Sequence, residues 1–305
     1  MEQVIQANHV RKVYGRGSAA VEALHDLDLA VRAGRVTGLV GHNGAGKSTF
    51  IKLALGFLRP TSGSLAVLGR DPGDPRALAR LGYLPEHPSF PEYLTGREIL
   101  HYVGRLVGLR GADLGRRSGA LLEEVGIAHA ADRRVRSYSK GMMQRLGIAQ
   151  ALLAEPELLV LDEPMTGLDP IGRAEVKELL RSRSQRGVAI LFCSHILEDV
   201  ERLCDDVVLL ARGRLRYQGT VASVLAAGEP RWTAVVAAPA VPAALSGLTW
   251  QPVGADLWSA AGLDDAAMRA VATAAGAGEV QPVRLEQELA DLEEMFLQVT
   301  RGSAV

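Results

Sequence analysis

Gly41-His42-Asn43-Gly44-Ala45-Gly46-Lys47-Ser48-Thr49 fits Gly-x-x-x-x-Gly-Lys-Ser/Thr, the pattern of a phosphate-binding loop. The pattern carries weight only between a strand and a helix, and the flanks supply both. Val36-Thr37-Gly38-Leu39-Val40 reads as a buried strand, and Phe50 to Phe57 reads as a helix free of proline. Gly41, Gly44 and Gly46 let backbone N–H groups turn inward around an anion, and the helix start adds its positive dipole end. Lys47 is then expected to reach the β- and γ-phosphates and Ser48 to ligate magnesium, with Asn43 and Thr49 completing the nucleotide-facing loop. The bland alternative is a glycine-rich turn that holds nothing.

The 305 residues exceed the size at which one hydrophobic core usually suffices, so a large domain plus a small one is expected. A hydrophobic fraction of 48% allows a full core. No apolar run of about 18 residues occurs, and the first residues do not read as a secretory signal. The expectation is a chain that stays in the cytoplasm. A net charge of −1 gives no overall field to draw nucleic acid or anionic lipid. Cys193 and Cys204 show no metal-ligand spacing and read as buried, reduced thiols, with a regulatory disulfide as the rarer alternative.

Strand-like runs alternate with helical periodicity up to about Val221, which predicts an α/β fold with a largely parallel sheet over residues 1–221 and a helical subdomain at about 88–154. Beyond that point alanine, glycine and proline dominate, charge is sparse, and all three tryptophans (Trp232, Trp250, Trp258) occur. A small α+β domain is expected over 222–305. Its strands are placed at Trp232 to Ala237, Leu257 to Ala260 and Val280 to Arg284, and its helices near Asp264 to Ala275 and Leu285 to Val299. Leu285, Leu289, Leu292, Phe296 and Val299 draw one apolar stripe along that last helix, either covering its own core or making a dimer contact.

Leu158-Leu159-Val160-Leu161 followed by Asp162 and Glu163 is a hydrophobic strand ending in two carboxylates, suited to the carboxyl edge of the sheet beside the phosphate loop. Asp162 is the candidate to orient magnesium. Glu163 is the candidate to polarise an attacking water. Between loop and strand lies Tyr138-Ser139-Lys140-Gly141-Met142-Met143-Gln144-Arg145, with Ser139 reading as the N-cap of a helix that runs to about Ala154.

This segment closely resembles the signature of ABC transporter ATPases. The resemblance implies that Ser139 and Gly141 contact the γ-phosphate held by a second subunit. It extends to Tyr14, matching the aromatic that stacks on adenine, to Asp169 in Thr166-Gly167-Leu168-Asp169-Pro170, matching the D-loop, and to His195, matching the switch histidine. Tyr14 or His195 alone would be weak, since a single tyrosine or histidine near a strand end is more often packed or solvated. Six motifs in order cover residues 4 to about 220.

Two positions depart from the family pattern. Ser139-Lys140-Gly141-Met142-Met143 replaces Ser-Gly-Gly-Gln, and Glu86 in Gly82-Tyr83-Leu84-Pro85-Glu86 stands where a Q-loop glutamine approaches magnesium and the attacking water. Both are similar to the type-2 export class of ABC ATPases, as is the terminal Leu292-Glu293-Glu294-Met295-Phe296-Leu297. That resemblance implies ATP and Mg2+ as cofactors, a second ATP-binding subunit in a homodimer, membrane-spanning permease subunits, and a peripheral place on the inner face of the membrane. No nucleic-acid partner is expected. The alternatives are an ABC ATPase doing mechanical or regulatory work on a membrane partner, and a soluble ABC protein of translation or DNA repair. The second would show tandem cassettes or a long coiled-coil insertion, and neither is present in these residues. Phe90, Tyr93 and Leu94 are candidates for contact with the membrane partner, with ordinary burial in the helical subdomain as the alternative.

Overall fold

The wholly apolar runs of the sequence become the centre of a parallel sheet, because a strand covered on both faces has no side for polar residues. The structure, a computed structural model, describes residues 2–227, 231–288 and 292–293. The chain divides into two compact units, Met1–Thr220 and Val221–Val305.

The first unit begins with strands β1 (Gln3–Tyr14), β2 (Val21–Arg32) and β3 (Val36–Val40), followed by helix α1 (Lys47–Ala54), strand β4 (Ser62–Val67), the short helix α2 (Pro75–Leu78) and strand β5 (Leu81–Leu84). Three helices follow: α3 (Gly96–Leu106), α4 (Gly111–Glu124) and α5 (Lys140–Leu152). The unit closes with β6 (Leu158–Asp162), α6 (Pro170–Gln185), β7 (Ala189–Cys193), α7 (Leu197–Leu203), β8 (Asp206–Ala211) and β9 (Arg214–Thr220).

Six strands form a sheet in the order β5-β6-β7-β3-β8-β9, parallel throughout except for the hairpin partner β9. Every residue of β3, β7 and β8 is buried. Gly38 in β3 lets α7 approach, since a Cβ there would lie 2.5 Å from Val200 Cγ1 and 3.1 Å from Cys204 Sγ. Cys193 and Cys204 are free and buried, and burial pushes both thiols well above their ordinary range. The expected α/β class holds.

One sheet of this unit was not foreseen. Strands β2, β1 and β4 form an antiparallel layer in the order β2-β1-β4, and its inner residues Ile5, Val10, Leu24, Leu27 and Val31 share one core with Phe50, Ile51 and Leu53 of α1. Of the helices between β5 and β6, α3 and α5 have explicit start signals. Thr95 and Glu98 form a reciprocal capping box at α3, Glu98 Oε2 accepting from Thr95 N at 2.8 Å and Thr95 Oγ1 from Glu98 N at 3.2 Å.

An ion-pair cluster fastens the antiparallel layer to the parallel sheet. Asp206, with a side chain only 7% exposed, accepts from Arg35 Nε and Nη2 at 2.8 and 2.9 Å and from Arg32 Nε at 3.0 Å. Burial pushes the Asp206 carboxyl up, but the two guanidinium groups outweigh it and hold it below the usual carboxylate range. A carboxyl depressed in the folded state stabilises above its unfolded value and loses that contribution as pH falls through the folded one. Asp206→Asn is expected to cost about 3 kcal/mol at pH 7, because it removes the buried carboxylate that the two guanidinium groups share. Urea unfolding checks this, and the gap to wild type narrows as pH drops below about 4.

The second unit comprises helix α8 (Val221–Ala227), strands β10 (Arg231–Ala237), β11 (Gln251–Gly254) and β12 (Leu257–Leu263), helix α9 (Asp265–Gly276) and strand β13 (Gln281–Glu288). Its antiparallel sheet runs β11-β12-β10-β13, and α9 buries Val271 and Ala274 in its core. Each tryptophan ring packs against that core while its N–H finds an acceptor: Asp265 Oδ1 for Trp232, Leu245 O for Trp250 and Ala238 O for Trp258. The helix expected from Leu285 needs correction. Leu285 lies in β13, paired with Ala234 of β10, so it cannot begin a helical stripe. Leu289, Phe296 and Val299 lie outside the described residues. Among the described residues no helix is long and apolar enough to cross a membrane.

Candidate functional site

Strand β3 delivers the glycine loop at the carboxyl edge of the sheet. Gly41 sits so close to β8 that a Cβ would meet Leu210 O at 2.4 Å. Gly44 and Gly46 have φ of +82° and +109°, conformations that glycine adopts without steric cost, and Gly46 caps α1. The loop closes on itself through Lys47 Nζ, which donates to the carbonyls of Gly41 and His42.

Sheet order brings the other groups alongside, because β5, β6, β7 and β3 are neighbours and parallel, so all four release their chains at one edge. Glu86 follows β5, Asp162 ends β6 with Glu163 next, and His195 follows β7. Asn43, Lys47, Ser48, Glu86, Asp162, Glu163 and His195 line one cleft of ≈ 330 Å³. Glu163 Oε1 accepts from His195 Nδ1 at 2.8 Å. The glutamate side chain is 13% exposed and the histidine 62%, so the carboxylate is sheltered behind a solvent-facing imidazole. Burial raises the Glu163 carboxyl above its ordinary value, with His195 pulling against the rise. Asp162 is raised by burial first and by the charge of Glu86 as well, while Lys47 opposes.

A second cleft of ≈ 240 Å³ lies against the loop, lined by Ala23 and by His42 to Thr49. Tyr14, at the end of β1, reaches the loop through a 3.4 Å hydrogen bond between its hydroxyl and Thr49 Oγ1. Its partly exposed ring carries the Lys12 ammonium 5.3 Å from the centroid.

Besides Tyr14, three of the candidate residues line neither cleft. Ser139 caps α5, its Oγ accepting from Met142 N at 3.2 Å. Gly141 packs on the chain beyond β6, where an added Cβ would lie 3.0 Å from Gly167 O. Asp169 caps α6, accepting from Gly172 N at 2.7 Å. Two residues at the site went unforeseen. Ala23 comes from β2 and carries no motif. Gln144 is 1% exposed and donates from Nε2 to Glu163 O at 3.2 Å. The signal for Gln144 was its helical register with the apolar Ile148, Ala151 and Leu152, which places an amide on the buried face of α5.

A parallel sheet with a glycine loop after β3 and carboxylates after β5 and β6 defines a P-loop nucleotide-hydrolysing domain. Comparison with known proteins narrows the class. The family described as ABC transporter matches residues 24–166. An uncharacterized ABC transporter ATP-binding protein of Synechocystis sp. is 44% identical over 231 residues, 74% of this chain and 65% of that protein, so the chain spans just under two thirds of that relative. The Nod factor export ATP-binding protein I of Cupriavidus metallidurans is 38% identical over 221 residues, covering 72% of each chain. A solved structure of an ATP-binding subunit of an ABC transporter superposes with a TM-score of 0.66 at 33% identity, covering 72% of this chain and 91% of that one. The chain belongs to the ATP-binding proteins of ABC transporters, and by class it is an ATPase.

Proposed function

We propose that the chain is the ATP-hydrolysing subunit of an exporter, working as a dimer beneath separate membrane-spanning subunits. The observation that carries this reading is the division of the candidate residues into two sets. Lys47, Ser48, Glu86, Asp162, Glu163 and His195 meet in one cleft, while Ser139 and Gly141 stand apart at the start of α5. A signature outside its own chain's cleft is suited to close on the nucleotide of a second copy. Export is supported by the name of the Cupriavidus relative.

In this reading the adenine stacks on Tyr14, and the N–H groups of residues 43–49 with the Lys47 ammonium hold the phosphates. The donors in the cleft fit a hard divalent cation, since Ser48, Asp162 and Glu86 all offer oxygen. Mg2+ held there would offset the charge of the β- and γ-phosphates. Glu163 orients the attacking water and takes up its proton, and His195 fixes the carboxylate by donating from Nδ1. Asp169, on the loop that packs against Gly141, stands at the dimer seam.

Closure and reopening of the dimer would reach the membrane subunit through the segment after Glu86. There Tyr93 is 71% exposed beside the half-buried Phe90 and Leu94. The unit from Val221 onward serves as an accessory or dimerisation domain, and the complex sits on the inner face of the membrane. Tagged chain recovered from native membranes is expected to bring a membrane-spanning subunit with it. Tyr93→Glu is expected to reduce that recovery at least about fivefold with ATPase activity of the isolated chain unchanged, since loss of a buried aromatic at an interface costs about 1 kcal/mol or more. Full recovery with Tyr93→Glu removes the contact from this segment. ATP-driven flux in vesicles carrying the recovered complex tests transport itself, and hydrolysis without any flux favours mechanical work.

A further inference from the structure

Glu163 has an unusual backbone, with φ of +50° in the left-handed region that glutamate rarely adopts. Such a residue stays in place only if its surroundings hold it, and both of its main-chain groups are held. Its N–H donates to Cys193 O at 2.9 Å, which ties it to β7. Its carbonyl accepts from Gln144 Nε2 at 3.2 Å, which ties it to α5, and from Thr166 N at 3.1 Å in the turn that follows. Only the NH2 end of the amide can serve a carbonyl, so the orientation of Gln144 follows from its partner.

The same helix is fastened to the chain beyond Glu163 at two more places. Arg145 donates to Glu175 Oε2 at 2.7 Å and to Val125 O at 2.7 Å. Gly141 lies against Gly167 O so closely that a methyl group would reach 3.0 Å. Helix α5 therefore grips the segment from Glu163 to Glu175 along its first two turns, and Gln144 is the contact nearest the carboxylate.

From this geometry we infer that Gln144 is a positioning residue: by holding the Glu163 carbonyl it fixes the left-handed peptide that aims the carboxylate into the cleft. The inference rests on the reading that Glu163 orients the attacking water. It gives the helix capped by Ser139 a direct hold on the peptide that carries the carboxylate of its own chain.

Gln144→Met keeps the length of the side chain and removes the donor. In the full chain kcat is expected to fall about tenfold, the worth of one hydrogen bond, with the KM for ATP within about twofold of wild type. A residue that only supports the fold would move KM, and kcat through loss of folded protein, alike. The second arm places Gln144→Met in a Glu163→Gln background and follows single-turnover hydrolysis. No further loss is expected there, because the effect passes through the carboxylate already removed. Unchanged kcat in folded Gln144→Met, or losses that multiply in the double variant, overturns the inference. Should the methionine variant not fold, Gln144→Asn retracts the same amide by one methylene, and wild-type kcat there overturns it equally. Near-normal turnover of Glu163→Gln alone would instead defeat the reading of Glu163, so the two failures are told apart.

Discussion

Glu163→Gln is expected to keep ATP affinity and lose turnover by about 100-fold or more, the ordinary cost of removing a catalytic base. The substitution isolates the charge. Glutamine has the shape of glutamate, and the peptide at 163 is held by Cys193 O and Gln144 whatever the side chain, so the group is presented in the same place. His195 Nδ1 can still donate to the amide oxygen. On the proposed reading, what is lost is the acceptor that takes the proton of the water. Because the proposed reading rests nucleotide binding on other residues, ATP should still close the dimer, and with hydrolysis stalled the dimer should accumulate on size-exclusion chromatography in the presence of ATP. Steady-state hydrolysis within about threefold of wild type would sink the assignment of Glu163.

The parallel sheet was legible because its strands are uninterrupted apolar runs, and runs such as Leu158 to Leu161 admit few other readings. The antiparallel layer was not. Strand β1 has the burial order exposed-buried-buried-exposed-buried-exposed-exposed-buried over its first eight residues, and its register against β2 shifts between Ala7 and Val10. A bulge of that kind erases the alternation by which a half-buried strand is recognised. Leu285 was misread for a related reason. The spacing Leu285, Leu289, Leu292 fits a helix, but Val283-Arg284-Leu285-Glu286 alternates with period two, and pairing with β10 decides in favour of the strand.

Legibility of the cleft follows how its residues are encoded. Lys47 and Ser48 open the helix after the β3 loop, Asp162 ends β6 with Glu163 next to it, and His195 follows β7, all places where motif and topology say the same thing. Ala23 and Gln144 reach the site from within a strand and within a helix, and only the packing of those elements brings them there. Gln144 announced itself weakly, as a polar residue on an apolar helix face. Ala23 gave no signal, since what it brings close to Gly46 is its main-chain carbonyl, which any residue carries.

Mixing two inactive variants, Ser139→Arg and Lys47→Ala, is expected to restore ATPase activity from background to a measurable fraction of wild type. Lys47 is in the phosphate loop and Ser139 caps a helix outside either cleft of the same chain. On the composite-site reading, Lys47→Ala removes the loop's cation for the β- and γ-phosphates, and arginine at 139 puts a long side chain where the signature should meet the nucleotide. Each homodimer then carries its defect in both sites. In a mixed dimer the two defects fall together in one site, damaged loop against damaged signature, and the other site is assembled from an intact loop of one chain and an intact signature of the other. One competent site per mixed dimer gives partial recovery wherever a single site can turn over. If each site lay within one chain, every site in the mixture would keep its own lesion and nothing would return. Titrating one variant against the other sharpens the test, because recovery should follow the product of the two fractions and peak at equal amounts. Mixed dimers demonstrated by differential tagging but silent at every ratio would count against a composite site, and ATP bound with Ser139 at the γ-phosphate of its own chain would rule it out.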